Sequence, residues 1–154
     1  MILDERNEFC DATALNTGAA GTYLIGDVID LRSPSIAPNV TVDMFGSDLY
    51  LLIQVDTAAT SGGSATGQFH LASDAQAAIA TDGSATYHFS TSARAVATLT
   101  AGTLVACVKL PVGSYERYLG VLQTTGTAAF TAGKVNAFLT ADPAVYRAYA
   151  DNVA

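Results

Sequence analysis

Leu49-Tyr50-Leu51-Leu52-Ile53-Gln54-Val55 is the most apolar stretch of the chain, and how it is read decides the fold class. A run of this length is too short for a stable isolated helix and typical of a strand. Its Tyr, Ile and Val favour extended backbone. Ser47-Asp48 supplies a turn just before it. Because the apolar character is nearly continuous rather than alternating, the stretch is expected to be a central strand covered on both faces.

The same signature recurs on both sides. Upstream, Thr22-Tyr23-Leu24-Ile25 continues past Gly26 into Val28-Ile29-Asp30-Leu31. Downstream, residues from Thr66 to Ser73, Ala85 to Ser90 and Arg94 to Leu99 read as shorter strands. Three clear segments follow. In Thr103 to Leu110, alternation puts Leu104, Ala106, Val108 and Leu110 on one face, and Cys107 is expected to be buried. Arg117 to Gln123 alternates Leu119 and Val121 against Tyr118 and Leu122, and Val135 to Thr140 repeats the pattern. Clusters of Gly, Ser, Thr, Asp and Pro separate these runs. One short segment, Asp74-Ala75-Gln76-Ala77-Ala78-Ile79, reads as a helix with Ser73 or Asp74 as its N-cap.

Eight or so strands joined by turns predict an all-β fold, an antiparallel β-sandwich or jelly roll with extended N- and C-terminal arms. The expected layout is an arm over residues 1–20, a sandwich domain over 21–142 and a tail over 143–154. At 154 residues the chain suits one domain with an ordinary core.

Charge narrows the function classes. Fourteen acids against seven Lys and Arg give a net charge of −7. The basic residues Arg6, Arg32, Arg94, Lys109, Arg117, Lys134 and Arg147 are scattered singly. Phosphate binding needs such residues clustered, so neither nucleic acid nor a membrane surface is an expected partner. The opening residues carry Asp4, Glu5 and Glu8 and no apolar signal core, so synthesis in a host cytoplasm is expected. Cys10 and Cys107 read as reduced thiols rather than a disulfide.

A search for chemistry finds no catalytic constellation. His70 and His88 stand singly between aromatic or apolar neighbours, without the short ligand spacing of a metal site. Ser61-Gly62-Gly63-Ser64-Ala65-Thr66-Gly67 resembles a phosphate loop but lacks Lys and leads into a strand. Ala132-Gly133-Lys134-Val135 lacks the hydroxyl after Lys. The pairs Asp27/Asp30 and Asp43/Asp48, and Asp56, read as solvated turn acids with no calcium-loop signature. No catalytic residue, metal or cofactor is therefore expected, and the protein is read as a binder rather than an enzyme.

Two segments carry a family resemblance. The first is Met1-Ile2-Leu3-Asp4 with Glu8-Phe9-Cys10-Asp11-Ala12-Thr13-Ala14-Leu15, then Asp27-Val28-Ile29-Asp30-Leu31. The second is Arg117-Tyr118-Leu119-Gly120-Val121 with Phe130-Thr131-Ala132-Gly133-Lys134-Val135-Asn136-Ala137-Phe138-Leu139-Thr140. With Leu49-Tyr50-Leu51 between them, they resemble the jelly-roll capsid cement, or decoration, proteins of short-tailed phages. Residues 32–46, with Pro34, Pro38 and Met44-Phe45, depart from that family's pattern, and the tail around Tyr146 and Tyr149 matches it loosely.

The resemblance implies a structural virion protein on the outer capsid surface. Its partner would be the major capsid protein of the same phage, bound by a homo-oligomer, dimer or trimer, that bridges subunits against DNA pressure. The apolar residues Ile2, Leu3 and Phe9 of the acidic arm, and Tyr146 and Tyr149 of the tail, are the expected docking residues; aromatic anchors of this kind are enriched at interface hot spots. Two rivals are a receptor- or carbohydrate-binding jelly-roll module of a phage tail, and a cupin-like enzyme in which His70 and His88 converge on a metal.

Overall fold

The apolar stretch lies inside a longer strand, Tyr50–Thr60, at the heart of a two-sheet sandwich. The computed structural model describes residues 5–31 and 48–146. Among them, nine strands run in chain order. They are β1 (Glu8–Ala14), β2 (Gly21–Asp30), β3 (Tyr50–Thr60), β4 (Thr66–Asp74), β5 (Thr86–Ser90), β6 (Arg94–Ala95), β7 (Leu104–Lys109), β8 (Tyr118–Gly126) and β9 (Ala132–Thr140).

One sheet has the order β1-β9-β3-β7 and the other β2-β8-β4-β5, with β6 also paired to β4. Every pairing is antiparallel. β1 pairs with β9, β2 with β8, β3 with β7 and β4 with β5. The first four strands therefore meet later ones in reverse order, as in a long hairpin rolled up on itself. That is the jelly roll.

Period-2 alternation fills the space between the sheets. Leu51, Ile53, Val55, Val135, Ala137 and Leu139 from one sheet pack with Phe69, Leu71, Leu119 and Val121 from the other. Phe9 and Phe130 add to the same core. Leu52, whose side chain points the other way along β3, is also only 1% exposed, so the two-sided burial expected of this strand is present.

The outer face of the second sheet has its own small cluster. Residues 75–85 fold across it, placing Ile79 and Ala85 on Ala72 and Leu122. Gly120 makes room: a Cβ there would sit 2.5 Å from Ile79 Cδ1 and 3.1 Å from Leu24 Cδ1. No helix forms over residues 74–79, contrary to expectation; the segment is a series of bends. The Asp74 carboxylate accepts the N–H groups of Gln76 (3.1 Å) and Ala80 (2.9 Å). Reaching as far as Ala80 closes a wide loop instead of a first helical turn, and it delivers Ile79 to the sheet.

Three other expectations need correction. The N-terminal arm does not extend to residue 20, because from Glu8 the chain is already β1, an edge strand paired with β9. The expected strand from Arg94 to Leu99 is two residues of β6 followed by a 3-10 turn over Val96–Thr98. Cys107 is exposed and Leu104 is 39% exposed. Cys107 points outward by plain alternation with Ala106 and Val108, whereas Leu104 is turned out by a register shift against β3, where Ile53 faces Ala106 but Gln54 faces Leu104. Skipping Val105 reverses the phase of the alternation, so Val105 enters the core and Leu104 leaves it.

Both sides of the sandwich are pinned. On one, Arg94 Nη2 donates to Val105 O across the two sheets at 3.1 Å. On the other, β1 lies beside β2 at Gly26, whose φ of +67° suits glycine. At the end of β2, Arg117 makes a two-pronged ion pair with Asp30, Nε–Oδ1 3.0 Å and Nη2–Oδ2 2.9 Å.

Candidate functional site

The histidines are the first candidates for chemistry, and the fold sends them to different places. His70 on β4 is 6% exposed. Its Nδ1 lies 2.7 Å from Ser90 Oγ on β5, and its Nε2 lies 3.0 Å from Thr124 Oγ1 on β8. Thr124 Oγ1 in turn lies 2.8 Å from Thr22 Oγ1 on β2. Ser90, His70, Thr124 and Thr22 thus form one hydrogen-bonded row across β5, β4, β8 and β2. The Tyr87 ring packs against the imidazole, with centroids 4.8 Å apart. Burial pulls the His70 titration below the ordinary histidine range.

His88 on β5 stacks on Tyr115 with centroids 3.9 Å apart, and its Nε2 lies 2.7 Å from Ser73 Oγ. Burial lowers its titration as well, while nearby Glu116 opposes the shift. Each imidazole thus has its own hydroxyl partners, which leaves the cupin-like arrangement without its converging pair. Among the described residues no group of three or more His, Cys, Asp or Glu is placed to hold a metal ion.

A groove of about 770 Å³ lies between β1 and β2. Glu8, Asp11, Asp27 and Asp30 give it an acidic lining, with Arg6, Thr13 and Val28 among the other wall residues. It exists because β1 and β2 are edge strands of opposite sheets. Sequence reading singled out Asp27 and Asp30 but not their juxtaposition with Glu8 and Asp11, since that depends on β1 being a strand.

The expected docking residues divide. Phe9 is 1% exposed and belongs to the core, which corrects its assignment to a partner surface: β1 turns it inward. Ile2, Leu3 and Tyr149 lie outside the described residues. Tyr146 ends a short 3-10 turn over Pro143–Tyr146, and its side chain lies outside the described part. The two thiols differ in reach. Cys10 is buried and its pKa is pushed up to about 12 by that burial, while Cys107 is exposed.

A polar device inside the sandwich was not foreseen. Gln123 is wholly buried between the sheets. Its Oε1 accepts Asn16 N–H at 3.0 Å, and its Nε2 donates to Asn16 O at 3.2 Å and Thr125 Oγ1 at 2.7 Å. One side chain thereby satisfies both backbone groups of a residue in the β1–β2 connection.

Among the described residues no helix is long and apolar enough to cross a membrane. Comparison with curated proteins yields no match. A family model, described as Bbp16, matches residues 9–139, from the Phe9 core position on β1 to Leu139 near the end of β9. That span takes in every strand of the jelly roll, and the chain belongs to the Bbp16 family.

Proposed function

We propose that this protein is a capsid decoration protein and not an enzyme. It binds the major capsid protein on the outer surface of an icosahedral phage shell, as a homo-oligomer, and bridges neighbouring subunits. Bridging two subunits makes the second contact at high effective concentration, so modest contacts add up to firm attachment.

The observation that carries this reading is the direction in which the chain leaves the sandwich. β1 begins at Glu8 opposite Phe138 of β9, and β9 ends at Thr140 opposite Tyr50, the start of β3. β2 ends at Asp30 opposite Tyr118, the start of β8. Both chain ends and the β2–β3 connection therefore depart from one end of the body. Ile2 and Leu3, beside the acidic Asp4 and Glu5, and the aromatic Tyr146 and Tyr149 all belong to those departing segments. A protein built to dock by one end would be arranged in this way. The opposite end is made of the short connections 15–20, 61–65 and 127–131, which contain no charged residue. A glycan-binding module would be expected to present several exposed aromatic platforms. Among the described residues Tyr87, at 39% exposure, is the one large aromatic so exposed, and its ring is already engaged by His70.

The test is co-sedimentation with empty capsids of the same phage that lack the protein. Saturable binding at a fixed copy number per capsid subunit is expected. Deleting residues 1–7 spares β1 and Phe9, and is expected to weaken binding without lowering the unfolding temperature. No binding to either expanded or unexpanded shells at micromolar concentration would refute the reading.

A further inference from the structure

β5 has one strand neighbour among the described residues. It is the outer strand of its sheet, five residues long, and pairs only with β4 among the described strands. The ladder between them is interrupted by a register shift between Leu71 and Ala72. Two reciprocal side-chain bonds reinforce it: His70 of β4 to Ser90 of β5, and His88 of β5 to Ser73 of β4, each 2.7 Å. Each strand contributes one imidazole and one hydroxyl to a short, irregular seam.

We propose that this seam is an acid-sensitive latch: protonation of His70 loosens β5 from β4 while the other strands stay paired. The groups that face His70 are Ser90 and the Tyr87 ring from β5, Thr124 from β8 and, through Thr124, Thr22 from β2. All are hydroxyl-bearing and none is a carboxylate, so among the described residues an imidazolium there meets no counter-charge, and it has little water. The second histidine is buffered differently, because Glu116 lies close to His88. Glu116 is itself held by Thr86 Oγ1 of β5 at 2.8 Å, and Tyr115 covers the ring. The asymmetry makes His70 the trigger.

The sign follows from linkage. Burial lowers the His70 titration in the closed seam, so an open seam binds the proton more readily. Closure is then fully favourable above about pH 6.5, the ordinary histidine midpoint. It weakens as pH falls below that value, until the closed form is protonated too. One proton taken up on opening raises the open population by at most about tenfold per pH unit. Released β5 would carry Tyr87 with it and bare the β4 edge, changing the surface the protein offers to any partner. The device is independent of which partner that is.

The experiment is amide hydrogen exchange on the full chain between pH 7.5 and 5.0, with rates corrected for intrinsic exchange. Protection at Thr86–Ser90 is expected to fall by about tenfold more than protection at β8 and β9. In His70→Gln, which keeps a donor and an acceptor but does not titrate, that extra fall should disappear. A parallel loss at all strands in the wild type, or an unchanged β5 profile in the folded variant, would overturn the proposal. Should the variant not fold, imidazole NMR of the wild type decides. A His70 ring that titrates below the ordinary histidine range, in step with β5 opening, supports the latch, and one that titrates at or above that range refutes it.

Discussion

Gly26 packs against the backbone of Phe9 so tightly that a Cβ at Gly26 would overlap the Phe9 carbonyl oxygen and lie 2.6 Å from Cys10 Cβ. This contact brings the edge strands of the two sheets together, with Phe9 turned into the core on one side and the acidic groove opening on the other. Gly26 also has φ +67°. Gly26→Ala therefore meets two penalties, a left-handed backbone and a clash with main-chain atoms that cannot rotate away. A loss of at least about 2 kcal/mol is expected from chemical denaturation. A change below about 0.5 kcal/mol would mean that β1 and β2 are not so close in solution.

Gln123→Ala should destabilise more than its size suggests. It leaves a cavity between the sheets and removes the Gln123 bonds to the Asn16 N–H and C=O. A cost of about 2–4 kcal/mol is expected. Hydrogen exchange should show the loss of protection concentrated at Asn16. Uniform loosening with Asn16 still protected would count against this tether.

The thiols should separate cleanly by reactivity. At neutral pH a thiol reagent is expected to modify Cys107 within minutes and Cys10 only after denaturant is added. Burial both hides Cys10 and keeps it in the unreactive thiol form. Titration to one equivalent in the native state and two in the unfolded state is the expected result. Two fast equivalents would show that β1 opens readily.

Phe130 and Val112 form a matched contrast. Phe130 is 1% exposed and belongs to the main core, whereas Val112 is 71% exposed in the β7–β8 connection. Phe130→Ala should cost about 3–5 kcal/mol. Val112→Ser should stay within about 0.5 kcal/mol. Equilibrium urea unfolding of the two variants measures both.

Strands whose alternation runs without interruption were legible in the sequence. β3, β8 and β9 read correctly because their apolar residues face two covered surfaces or one clear core, and the shifts between β3 and β9 fall only after Val55, beyond the apolar run. β1 was not legible. Its pairing with β9 shifts register twice, between Glu8 and Cys10 and between Cys10 and Thr13, and Ala12 adopts a φ of +43°. Each irregularity resets the alternation, so Glu8-Phe9-Cys10-Asp11-Ala12-Thr13-Ala14 looks like an arm until its distant partner is known. Phe9 was misassigned for the same reason.

Residues 74–79 misled differently. Their alanines favour a helix locally, but so short a segment gains little from propensity. The burial of Ile79 on the outer face of the second sheet outweighs it. The reciprocal histidine bonds of the β4–β5 seam were invisible because they depend on register, which places Ser90 opposite His70 and lets His88 reach Ser73 through a shifted ladder.

The reverse-order pairing of strands has a consequence for biosynthesis. β1 is made before the other described strands, yet its sheet neighbour among them is β9, more than a hundred residues later. β3 has β9 on one side, and β2 depends on β8 in the same way. Neither sheet can be completed before β8 and β9 have been made, and local hairpins contribute little until those strands arrive. Topologies dominated by distant contacts fold slowly, over milliseconds to seconds. Nascent chains would then expose their β1 to β4 edges until β8 and β9 emerge, an interval in which crowding with sister chains favours misassembly.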